Sequence, residues 1–428
     1  MLRISIVIAI SFVSSFLMAQ EPTNPGELGA APVTLQDTTR SNILSYGLSS
    51  AAAFDDNVQG SGGKQNILTS IQPQLGLSLN RTRIASALYY SPSYAFSSNV
   101  ASQSVSSQVG GGQITYLFSR RLSVNLRGSF VSTSNPIESI NASLELPQLG
   151  VLQRPNDSFV GATVKQTFER VAGDLSYRLG QYTSAGVGGT FSNTNYRTLN
   201  DTQVGNEQAR SRAWSAYSFL SHRLTPRYTI GFDYAAERFS SQQSVSTMTH
   251  APLGFVNIAV RPHLQLSVFA GPEFSFFQTS ASGASVMLLP ARTLSLSYGS
   301  TLSWQGEKNG LSLSFSQRVS DSIESSVAAV KARTVNFRAD RQLTKRTTLG
   351  LFTNYISNET LTSIAGGSVP DSVVGGIGLQ RQITQNISAG ISAFHQEFLS
   401  PSSVLSGLAT HDVVSVSIGY NFARPIGR

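Results

Sequence analysis

Five histidines, His222, His250, His263, His395 and His411, are the side chains best suited to moving protons near neutral pH. They are dispersed along the chain, and none stands at a two-histidine metal spacing. The best hydrolytic candidate is HQE, His395 to Glu397, where many serines lie nearby. Serine is so abundant here that its proximity carries little information. No Gly-x-Ser-x-Gly elbow and no phosphate-cradling glycine loop occurs. Gly110, Gly111 and Gly112 fall in an extended stretch, where they permit a bend or close packing. There are no cysteines, which excludes disulfides, thiolate metal sites, a thiol nucleophile and lipidation at an N-terminal cysteine. The chain therefore reads as a non-enzyme with no cofactor and no metal.

A second set of residues could do chemistry without catalysis. Arg127, Arg170, Asp174, Arg178, Asp233, Glu237, Glu273, Arg318, Arg338 and Asp340 all fall on the polar side of alternating stretches. Opposed charges across water would set up a transverse field favouring small polar solutes, and a cluster of one sign would select ions. Paired on neighbouring strands, the same charges would only stabilise a wall. Glu138 and Glu145 lie in the longest polar connection, 134–158. There Ile137, Ile140 and Leu144 permit a short amphipathic helix, limited by Pro136, Pro147 and Pro155. Folded inward, that segment would narrow a channel; otherwise it is an external loop. Further basic residues, among them Arg81, Arg120, Arg121, Arg227, Lys345 and Arg346, concentrate at short turns. They could touch anionic headgroups or cell-wall polymer, or form a solvated rim.

The elements that must position these residues are strands. From about Ile43 onward the dominant period is two. In TLSLSYGSTLSW, Leu294, Leu296, Tyr298, Leu302 and Trp304 oppose Thr293, Ser295, Ser297, Gly299, Thr301 and Ser303. In LQLSVFAGPEF, the apolar side runs Leu264, Leu266, Val268, Ala270, Pro272, Phe274, with Phe269 out of step. Successive strand side chains point to opposite faces, so each such strand has one apolar and one polar face. Eight short turns alternate with nine longer connections, which implies about 18 antiparallel strands (16–18), one end trimmed and the other elaborated.

Composition says which solvent meets the apolar face. Only 13% of the 428 residues are charged, against roughly 25% in a typical soluble domain. No apolar run long enough for a membrane helix follows the first twenty residues. A closed transmembrane β-barrel, all-β and up-and-down, satisfies both facts. Residues 1–19 read as a signal peptide, with Arg3 as the positive region, Ile4 to Met18 apolar and Ala19 at the cut. Residues 20–42 read as a flexible periplasmic lead, 43–422 as the barrel and 423–428 as a short tail. The net charge of +8 is not gathered into a patch interleaved with aromatics, so nucleic acid is not an expected partner.

The region Ile43 to Phe422 resembles bacterial outer-membrane β-barrels of the porin kind. VVSVSIGYNF, with Val414, Val416, Ile418, Tyr420 and Phe422 alternating, resembles the C-terminal strand that barrel-assembly machinery recognises; here ARPIGR follows the final aromatic. The units YLFSRRLSVNLRGSF, SHRLTPRYTIGFDY and RQLTKRTTLGLFTNY, and AFDDNV after the first strand, resemble parts of barrels some of which accompany exopolysaccharide export. The resemblance implies an outer-membrane location with both termini periplasmic, and partners in outer-membrane lipid and the assembly machinery. It implies a channel for passive diffusion of small hydrophilic solutes. A barrel subunit of a polysaccharide secretion system, with polysaccharide or export proteins as partners, is the alternative, and a rim hydrolase a weaker one.

Overall fold

The computed structural model describes residues 42–56, 66–97, 105–133, 164–198, 209–241, 245–279, 292–320, 327–363, 369, 371–399 and 410–425. They form eighteen strands. The first six are β1 (Ile43–Asp55), β2 (Asn66–Asn80), β3 (Ile84–Ser97), β4 (Val105–Leu117), β5 (Leu122–Thr133) and β6 (Val164–Arg178). Next come β7 (Thr183–Thr198), β8 (Ala209–Arg223), β9 (Tyr228–Ser241), β10 (Val245–Arg261), β11 (Leu264–Thr279) and β12 (Arg292–Gln305). The last six are β13 (Asn309–Ser320), β14 (Val327–Thr344), β15 (Thr347–Ser363), β16 (Ser372–Gln382), β17 (Ile387–Phe398) and β18 (His411–Pro425).

Every strand pairs antiparallel with its sequence neighbours, and β1 closes onto β18 from Ile43↔Pro425 to Asp55↔Val413. The product is a closed barrel without a free sheet edge at that seam. Closure matters because a backbone N–H or C=O left unpaired in hydrocarbon costs several kcal/mol. Tyr46 and Phe422 meet across the seam with ring centroids 5.0 Å apart. The last strand runs to Pro425, three residues beyond Phe422, because Ile43 and Leu44 are there to pair with it. The stretch 240–247, one of the nine longer connections the sequence suggests, is mostly strand, since β9 and β10 go on pairing as far as Ser246↔Ser240. Residues 1–41, with the signal peptide and nearly all of the lead segment, lie outside the described residues, as do Glu138, Glu145 and the rest of the 134–158 connection.

The alternation sorts the side chains as solvent demands. On β18, Val414, Val416, Ile418 and Tyr420 are exposed outward, and Val413 beside them is buried. The outward surface carries exposed Leu, Ile and Val across the strands. It is bounded towards the short turns by Tyr46, Tyr177, Tyr228 and Trp304 and towards the long connections by Phe54, Phe96, Trp214 and Phe276. Aromatic residues favour the two water–membrane interfaces. The strands are 11 to 18 residues long, whereas about 9–11 suffice to cross hydrocarbon. Towards the long connections the outward faces of several strands, β8, β9, β12, β14, β17 and β18 among them, carry charged residues.

Two hairpins break the regular ladder. Between Ile71↔Tyr94 and Leu75↔Tyr90, Pro73 stands opposite Pro92 and no pairing is formed. Pro252 and Pro272 do the same between His250↔Phe274 and Gly254↔Ala270. Proline has no N–H to give to the ladder. Gly271 is required beside the second break: a Cβ there would lie 2.0 Å from the Pro252 carbonyl oxygen.

Candidate functional site

The candidate site is the inner face. A barrel of this size is too wide for opposite walls to fill it with side chains. All ten charged residues singled out by alternation sit on the face opposite the exposed apolar one, and the strands bring them into separate groups.

The first group lies on β5 and β6. Arg127 pairs with Asp174 at 3.5 Å, both nearly buried. Arg170 is also buried, on the same face of β6. The local ladder is unbroken from Leu122↔Tyr177 to Thr133↔Gln166. Around it hydroxyls bond directly across strands, as in Ser123–Ser176 at 2.6 Å. Arg178 shares the face at the short-turn end and is exposed.

The second group is assembled from β9, β11 and β13. Arg318 faces the carboxylates of Glu273, Glu237 and Asp233. Its guanidinium carbon stands 4.6 Å from the centre of the Phe269 ring, a contact worth about 0.5–2 kcal/mol. Phe269 thus falls out of step in the sequence because it belongs to the inner face. It joins Tyr217, Ala251, Leu253 and Phe255 in an inward apolar cluster. Glycines make room for these rings: a Cβ on Gly231 would lie 2.2 Å from Phe255, and one on Gly299 2.6 Å from Phe269. Asp233 and Glu273 are buried, Arg318 half-buried.

Strand β13 does not stay in the wall. Its pairing with β12 stops at Tyr298↔Gln317, while β12 continues along β11 to Phe276↔Arg292. Beyond Gln317 the chain crosses to the inner side of β11. There the Val319 amide donates to Glu273 Oε2 at 3.1 Å, and Val319 packs on Phe277 and Ala329. The Gln317 side chain patches the opened seam. Its Nε2 donates to the Leu296 carbonyl at 2.9 Å, and its Oε1 accepts from Arg333 Nε at 2.8 Å. The outer end of β14 leans in with it, and Val330 and Ala332 bury Val369 from the β15–β16 connection. Sequence reading missed this inward element. The available signal was the crowding of apolar residues on both faces between Phe269 and Phe277.

The third group is an intrastrand pair on β14, Arg338 Nε to Asp340 Oδ2 at 3.1 Å. His395 lies elsewhere, on the outward face near the long-connection end of β17. Its Nδ1 is 2.8 Å from Asp412 and its Nε2 3.5 Å from Glu397. Both ring nitrogens thus lie beside carboxylates. No group of residues suited to a metal ion occurs among the described residues.

The architecture is that of bacterial outer-membrane barrels: an even number of antiparallel strands, short turns at one end and longer connections at the other. No family model matches the chain, and no curated protein matches it. Among solved structures it is similar to OccK2 (OpdF) of Pseudomonas aeruginosa, with 10% identity and a TM-score of 0.45 over 90% of this chain and 98% of that one. It is similar to OccAB4 of Acinetobacter baumannii, with 9% identity and a TM-score of 0.44 over 90% and 98%. The siderophore receptor PiuA of the same organism gives 8% identity and 0.44 over 90% and 82%. Likeness at this level carries no argument beyond the fold, which rests on its own register.

Proposed function

We propose that the protein is an outer-membrane channel for passive diffusion of small hydrophilic solutes, filtered by lumen width and by the charges of the inner wall. The observation that carries this reading is a closed eighteen-stranded wall, apolar outside and polar inside. In this reading the start of β1 and the end of β18, which share the short-turn end, face the periplasm. The outward alternation from Val414 to Phe422 is the feature that assembly machinery would engage. In this reading the protein acts without catalysis. The inner-wall charges that would then act on solutes are Arg318 with its three carboxylates and Arg127 with Arg170 and Asp174.

Purified protein reconstituted in planar bilayers should give stable open-channel currents. Asp233→Asn combined with Glu273→Gln should move the reversal potential in a salt gradient towards that of the anion. Silent bilayers containing correctly inserted protein would remove the free-diffusion reading. Current appearing only with export proteins present would favour the secretion-subunit alternative.

A further inference from the structure

The outward charges at the long-connection end are not spread evenly. Among the described residues, β2 to β5 carry none there, presenting Ile67, Tyr94, Phe96 and Phe130 instead. Around β17 and β18 the charge is acidic, with Glu397 and Asp412. From β8 to β14 it is basic: Arg210, Arg212, Arg238, Arg292, Lys331 and Arg333.

Part of this arc is neutralised and part is not. Lys331 and Arg333 both reach Glu359 on β15. Arg210 donates through Nε to Asn193 at 3.1 Å, and Asn193 donates to Glu169 at 3.1 Å. Arg212 and Arg238 form no ion pair among the described residues, and both are exposed. They flank Trp214. Arg238 is its direct cross-strand partner on β9, and Arg212 is the next outward position on β8. Trp214 is 61% exposed, facing outward, and is held upright by Phe191 at 4.4 Å between ring centroids. The alternate positions Ala213 and Phe239 are buried on the opposite face, so neither arginine can turn inward without displacing them.

This arrangement has a definite chemistry. An indole marks the edge of hydrocarbon, since its apolar body and N–H suit that boundary. Two guanidiniums beside it, Arg238 level with it and Arg212 one step towards the long connections, neither in an ion pair with a described residue, present donors matched to phosphate oxygens. We propose that Arg212, Arg238 and Trp214 form a binding site for the phosphate of a lipid headgroup, in the leaflet on the long-connection side of the membrane. The lipid's acyl chains would run down the apolar surface below Trp214, past Leu220, Ile230 and Phe232, which share its outward face. The site needs the barrel to stand in a bilayer. It does not need the barrel to conduct.

The test uses the full-length barrel with Trp304→Phe, which leaves Trp214 as the single tryptophan of the two in the chain. The detergent-solubilised protein is titrated with a bis-phosphorylated acylated glucosamine disaccharide and, in parallel, with its dephosphorylated form. Tryptophan emission and native mass spectrometry report binding. Near an anionic surface each arginine adds about 1 kcal/mol, or about fivefold in affinity. The phosphorylated lipid should therefore bind about thirtyfold more tightly than its counterpart. Arg212→Ala with Arg238→Ala should abolish that preference, and Arg→Lys at both positions should restore part of it. Lys345→Ala with Arg346→Ala, at the other end of the barrel, should leave it intact. Equal binding of the two lipids, or an undiminished preference in the Arg212/Arg238 double variant, overturns the site. Displacement by inorganic phosphate at matched concentration would show a free-anion site and overturns it too. So does a second copy of the chain covering Trp214, seen as an oligomer that the double variant dissolves without any change in bound lipid. Silent bilayers that contain the inserted barrel would instead strike the channel reading and leave the site standing.

Discussion

Two of the three charged groups on the inner wall each join arginine and carboxylate from more than one strand, and they differ in the backbone behind them. On β5 and β6, two arginines and one aspartate sit on a ladder with no gap. On β9, β11 and β13, three carboxylates and one arginine sit where the ladder opens twice, at Pro252/Pro272 and beyond Tyr298↔Gln317. In the first place the wall positions the charges. In the second the charges help to position the wall, because the Glu273 carboxylate supplies the acceptor that the Val319 amide no longer finds on β12. A charge on a continuous strand is decoration that can be altered singly. A charge that replaces a missing ladder bond is part of the scaffold.

That contrast can be broken or sharpened by substitution. The largest effect is expected for Arg318→Gln, which leaves Asp233 and Glu273 buried without their cation. Removing one partner from a buried ionic group costs about 3–5 kcal/mol, read as a lowered denaturation midpoint of the folded barrel in detergent. A loss below about 1 kcal/mol would mean that β13 is held inward by something other than this cluster. Arg127→Gln should cost less, about 1–3 kcal/mol, since one carboxylate rather than two loses its cation and the ladder is intact; equality with Arg318→Gln would erase the distinction. Gln317→Ala should fall in the same range, about 1–3 kcal/mol, by uncapping the Leu296 carbonyl and freeing Arg333. It should also raise hydrogen exchange selectively along the outer ends of β12 and β13. Ser123→Ala, which removes one hydroxyl contact on the unbroken wall, should cost about 1 kcal/mol and leave exchange elsewhere unchanged. If the serine variant loosens its strands as much as Gln317→Ala does, the two walls are mechanically alike.

Much of the molecule was legible in the residues. The alternation in VVSVSIGYNF and TLSLSYGSTLSW assigned faces, and the short turns after Asn80, Leu117, Arg223 and Thr344 set the strand number. What eluded the reading was where a strand departs from its neighbour. The stretch FAGPEFSFF, Phe269 to Phe277, has apolar residues on both faces, and alternation cannot rank them. Their second face makes sense only once Val319 and Arg318 are known to lie over it. The described residues add an inward element at the outer end of β13, and the 134–158 connection, with Glu138 and Glu145, lies outside the described residues.

The amino-acid order by itself determined which side of each strand meets lipid and which does not, because that choice depends on a period of two residues and on nothing distant. It also determined the parity of the barrel, since every turn reverses direction. Only the tertiary structure decided which charges meet. Asp233, Glu237, Glu273 and Arg318 come from three strands whose mutual heights are set by registers accumulated around the wall, and a register is a property of pairs of strands. The same holds for Arg212 and Arg238 around Trp214: each is ordinary in its own strand, and the pairing of β8 with β9 makes them neighbours.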